Sequence, residues 1–84
     1  MDKKNKAVVT VVGNDTIGII ARVSAALAAH NANILDISQT VLSGMFNMMM
    51  IVDGSGANVS FDEMSSGLDE IGAGIGVNIK CQRE

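Results

Sequence analysis

Two segments of this chain, AVVTVV at residues 7–12 and MFNMMMIV at 45–52, are apolar at both odd and even positions. A β-strand sends successive side chains to opposite faces, so each segment needs cover on both sides of its sheet. Two others, ILDISQTVL at 34–42 and VNIKCQ at 77–82, mix polar and apolar residues and suit sheet edges. In the last of these Val77, Ile79 and Cys81 alternate cleanly with Asn78, Lys80 and Gln82. A fold for this chain must therefore place two central strands and two edge strands.

Helical periodicity fills the gaps between them. After the turn GNDTIG at 13–18, IIARVSAALAAH puts Ile20, Val23 and Leu27 on one stripe, flanked by Ile19 and Ala26, with Arg22 and Ser24 off it. Asp15 or Thr16 can cap its free amides, and Asn31 and Asn33 tolerate the turn that follows. Ser43-Gly44 marks a tight hairpin, and DGSGAN at 53–58 reads by composition as a flexible loop. Ser60 with Glu63 forms a capping box that opens a second helix on the stripe Phe61, Met64, Leu68 and Ile71, which Gly72 or Gly74 then ends.

The order βαββαβ predicts an α+β, ferredoxin-like fold: a four-stranded antiparallel sheet with strands 1 and 3 central, 2 and 4 at the edges, and two helices on one face. The other face is then uncovered. Val9 and Met49 are the candidate residues there, and a second copy of the chain is the natural cover.

Composition agrees with one small domain over 1–84, whose first six residues, MDKKNK, form a flexible basic start; the chain has no proline to mark a linker. With 48% hydrophobic residues and only two aromatics, the apolar content exceeds what a core of this size needs, which favours a homodimer or a higher homo-oligomer. A net charge of −3 argues against tracking nucleic-acid phosphates. No apolar run reaches the length of a membrane span, and no signal peptide is recognisable. A lone Cys81 makes no internal disulfide, so a cytoplasmic location is expected.

Most chemical motifs fail on spacing. GNDTIG has the two glycines of a phosphate loop but Ile19-Ile20 where that loop needs Lys and Ser or Thr. Gly72, Gly74 and Gly76 lie after a helix and before a strand, the reverse of a dinucleotide site. Met48 and Met50 face away from Met49, and with no histidine or CxxC nearby neither a metal nor a cofactor is expected. The third strand lacks the aromatics of an RNA-recognition motif. His30 has no catalytic partner, Arg22 reads as a surface charge, and Asp62-Glu63 and Asp69-Glu70 read as solvated faces, so no catalytic residue is assigned.

The GNDTIG turn remains. Gly18 lets a ligand approach the backbone where helix amides can meet a carboxylate, Asp15 can receive an ammonium, and Asn33 can donate and accept at the start of strand 2. An amino acid carries both charges. Capping and turn formation alone explain the same residues, and the pattern does not choose between the two readings.

VVGNDTIGIIARVSAALAAHNANILDISQT resembles the opening of an ACT domain, a small-molecule sensing module, and in particular the short stand-alone ACT group (UPF0237-like). The resemblance runs from about Ala7 to Arg83. It implies ligand sites between subunits, lined by the loop after strand 1, the first helical turn and the start of the neighbour's strand 2. Carried onto this sequence, those positions are Asp15, Gly18, Ile19, Ile20 and Asn33. Ile17 stands where the wider pattern has a proline, which implies a less rigid loop. The group also carries a short hydrophobic segment after the last strand, whereas this sequence ends at Glu84. The resulting expectation is a non-enzymatic regulatory module that binds an amino acid and acts on a regulated protein partner. The alternatives are a protein-interaction module with no small ligand and an acylphosphatase-like enzyme, whose chemistry wants an anion-clamping arginine that GNDTIG lacks.

Overall fold

The computed structural model describes residues 6–14 and 17–83. Its elements are β1 (Lys6–Asn14), α1 (Ile19–Ala29), β2 (Asn33–Leu42), β3 (Met45–Asp53), α2 (Phe61–Ile75) and β4 (Val77–Arg83). The sheet order is β2-β3-β1-β4 with every pairing antiparallel, so the two-sided apolar strands are central and the mixed ones are edges.

Strand alternation builds the core. Val9 and Val11 of β1, Phe46, Met48, Met50 and Val52 of β3, and Val77 and Ile79 of β4 all point to the helical side. Val23 and Leu27 of α1 and Met64 and Leu68 of α2 pack onto them from above, which puts both helices on one face. Val9 is fully buried there, so it is no part of the open face; Val8, Thr10 and Val12 alternate outward from β1. Met49 does face outward, as expected.

Local signals set the element ends. Ser43 and Gly44 both take positive φ, 52° and 78°, in a two-residue turn pairing Leu42 with Met45, the twist that a tight hairpin needs. The capping box forms: the Glu63 amide donates to Ser60 Oγ at 3.1 Å, and the Ser60 hydroxyl donates to Glu63 Oε1 at 3.2 Å. α1 ends with the Asn31 amide bonded to the Ala28 carbonyl and the Ala32 amide to the Leu27 carbonyl, Asn31 taking the left-handed position usual for glycine.

Four expectations are corrected. Ile19, not Ile20, shares the buried stripe of α1 with Val23 and Leu27, because positions 19, 23 and 27 follow the i, i+4, i+8 row while Ile20 lies about 100° further round the helix and faces outward. α2 runs past Gly72 and Gly74 to Ile75, with Gly76 in the left-handed cap, because Gly72 is a buried contact where the helix crosses β4. The DGSGAN loop is tied down, since Asn58 bonds the His30 and Ala29 carbonyls and Asn31 Nδ2 donates to the Gly56 carbonyl at 2.7 Å. Cys81 is half-buried rather than enclosed, and burial, with Asp69 nearby, raises its thiol pKa above 9.0.

Candidate functional site

The two glycines of GNDTIG have different tasks. Gly13 pairs with Val77 of β4, and a Cβ there would come within 2.7 Å of the valine side chain, so it permits close packing of two strands. Gly18 is the N-cap of α1, at φ 91°, where any side chain would be strained. Its carbonyl accepts from the Arg22 amide at 2.9 Å.

Gly18 has no side chain with which to cap, and α1 has no acidic residue in its first turn. The amides at the start of the helix are therefore left without the usual carboxylate or hydroxyl from those positions. A Cβ built on Gly18 would meet nothing within 4 Å among the described residues, so the backbone is open to an incoming group. Asp15, the proposed ammonium acceptor, and Thr16, the alternative cap, lie outside the described residues.

The remaining candidates separate in a telling way. Ile19 is only 2% exposed, so its side chain belongs to the core and only its backbone faces the turn; Ile20 is 38% exposed. Asn33 pairs with Asp53, which in turn pairs with Lys6 at the start of β1, whereas the turn follows Asn14 at the other end of that strand. Across nine residues of strand that is about 26 Å. One chain does not bring Gly18 and Asn33 together.

Apolar exposure gathers at the end of the sheet that carries the turn. Ile17 is fully exposed and Leu42 is 70% exposed, with Ile20, Val41, Met45 and Val12 also open to solvent. The pairings Leu42–Met45 and Asn14–Met45 place the hairpin tip beside the exit of β1. Sequence reasoning missed this rim, although an isoleucine inside a turn and a leucine next to Ser43-Gly44 were visible signals. Among the described residues there is no group of His, Cys, Asp and Glu able to hold a metal, and no helix is long and apolar enough to cross a membrane.

Residues 5–82 match the family model of the ACT domain. The chain belongs to the ACT domain family. A UPF0237 protein of Bifidobacterium longum is 59% identical over 95% of this chain and 89% of its own length. Among solved structures, an ACT domain protein from Streptococcus pneumoniae superimposes with a TM-score of 0.81 at 42% identity, covering 92% of this ACT domain and 86% of that chain. The ligand-free regulatory subunit of aspartate kinase from Thermus thermophilus is similar at 26% identity and a TM-score of 0.72, over 95% of this ACT domain and 52% of that chain. ACT domains share a fold used for small-ligand regulation, the coarse function that the sequence reading assigned.

Proposed function

We propose that this ACT domain is a non-enzymatic regulatory module that holds an amino acid between two copies of the chain. The observation that carries the reading is Gly18: a left-handed N-cap with no side-chain cap and, where its Cβ would stand, nothing within 4 Å among the described residues. The amides at the start of α1 would receive the ligand carboxylate and Asp15 its ammonium, while Asn33 of a second copy would close the site.

The fold offers a simple way to supply that second copy. β2 is an edge strand with its outer backbone unpaired in the chain, and Ile37 and Val41 stay exposed along it. If two β2 strands pair antiparallel about Ile37–Ser38, Asn33 of one lies opposite Leu42 of the other, beside that chain's Gly18 turn. Binding would act on a regulated protein through a difference in affinity between assembled states.

The test is thermal unfolding against a panel of common amino acids, with Asp15→Ala and Ile37→Lys alongside. A ligand at a hundred times its dissociation constant adds about 2.7 kcal/mol, a distinct upward shift for a domain of this size. The expected result is a selective shift weakened in Asp15→Ala and abolished, together with the dimer, in Ile37→Lys. No shift with any amino acid, or full affinity in Asp15→Ala, would remove the proposed site.

The second reading, a protein-interaction surface with no small ligand, draws on the open sheet face. A shallow cleft there is lined by the polar Thr10, Ser38, Thr40 and Asn47 with the apolar Val12 and Met49 among them. It becomes the leading reading if the amino-acid panel is silent and Met49→Glu abolishes association.

A further inference from the structure

The inward register of β4 runs Val77, Ile79, Cys81 and then Arg83, which pairs with the inward-facing Ala7. An arginine thus ends a row of apolar residues on the helical side of the sheet. Its guanidinium lies over the ring of Phe61 in the first turn of α2, with the central carbon 4.5 Å from the ring centroid. The cation–π contact positions the guanidinium beside the ring, and the N–H fork of an arginine is suited to grip a planar anion.

Beside this pair is a cavity of about 170 Å³, lined by Arg83, Lys6, Ala7, Val59, Phe61 and Met64 among others. That volume matches an engineered apolar cavity of about 150 Å³ known to hold benzene. Its lining mixes apolar side chains with polar groups, Ser60 among them, and the charged residues bordering it, Arg83 and Lys6, are both cations. Arg83 and Lys6 form no ion pair among the described residues. Asp53, the acid that feels the charge of Lys6, is turned to the Ser55 amide at 2.9 Å, and Glu63 is engaged by Ser60. The cavity borders the start of β1, at the opposite end of that strand from the Gly18 turn, and owes nothing to the amino-acid reading.

We propose that this cavity is a second binding site, for a small organic monocarboxylate with a branched apolar body. Arg83 receives the carboxylate through paired N–H donors and disfavours an ammonium group, and Val59, Phe61 and Met64 contact the hydrocarbon. The recognised chemistry is an anion at one end and a few carbons at the other, which disfavours zwitterions.

The experiment is a titration of the full chain with 3-methylbutanoate, followed by backbone amide resonances, with neutral 3-methylbutanamide as the control. The expected result is saturable shifts at Gly54, Ala57, Val59 and Met64, a roughly tenfold or greater loss of affinity in Arg83→Gln, and no binding of the amide. Ala57→Leu, which fills the cavity and keeps both cations, should abolish binding as well, and it retains a test if Arg83→Gln perturbs the strand. The proposal is overturned by the absence of saturable shifts up to about 50 mM, well beyond weak millimolar affinity. Equal binding of the amide, or shifts confined to the Gly18 end, would overturn it too.

Discussion

Gly72, in the last turn of α2, sits so close to Val77 that a Cβ on it would lie 2.7 Å from the valine carbonyl oxygen and 3.1 Å from Ile79 Cγ1. Alanine is favoured over glycine inside a helix by about 1 kcal/mol. Here the nearest atom is backbone, which cannot swing aside, so the clash outweighs the propensity gain. Gly72→Ala should destabilise the domain by about 1–3 kcal/mol, read as a lower midpoint in urea unfolding. A more stable variant would show that α2 can slide over β4.

The capping box makes a separate, milder forecast. Ser60→Ala removes the acceptor for the Glu63 amide and should cost about 1 kcal/mol, or roughly 4–8 °C in Tm. Ser60→Asp keeps an acceptor in place and should recover most of it.

Cys81 links stability to alkaline pH. Burial first, and Asp69 second, raise its pKa in the folded protein above the ordinary 9.0, so the folded state holds the thiol proton more tightly than the unfolded chain. Its contribution is complete below pH 9 and is lost as the pH climbs through the raised value. Wild type should lose stability over that window more steeply than Cys81→Ala. The thiol should also react slowly with a disulfide reagent at neutral pH and speed up in urea.

The two faces of β1 and β3 answer differently to charge. Met49 is 51% exposed on the open face and Val9 is fully buried under the helices. Met49→Glu should leave the circular dichroism native, whereas Val9→Glu should unfold the chain, since an unpaired buried charge costs more than a small domain can spare. Sedimentation velocity on Met49→Glu then tells whether the open face joins copies: a fall in the sedimentation coefficient places association there, and an unchanged one moves it to the β2 edge.

The sheet was legible because its central strands are apolar on both faces and its edge strands are not, a pattern that depends only on which side of each strand is covered. The capping box was legible because its two residues sit three apart in sequence. Less could be read where distant segments meet. Gly72 resembled a helix stop until β4 was seen crossing it, and the DGSGAN loop looked loose because its partners, Ala29, His30 and Asn31, are far away in sequence. Of the candidate ligand residues, Gly18 stood out in the sequence for the freedom of its backbone, and the structure gives it a left-handed φ of 91°. Nothing local revealed that Ile19 and Ile20 divide between core and surface, or that Arg83 continues an inward row.

Gly18 and Asn33 stand at opposite ends of one sheet, and a ligand that needs both senses the number of chains as well as its own concentration. If the proposed ligand bridges two copies, half-sites would outnumber complete ones in dilute protein, and ligand would go largely unread there. The response would therefore steepen as the cell makes more of the protein, and expression level would set the threshold without any change to the residues that touch the ligand.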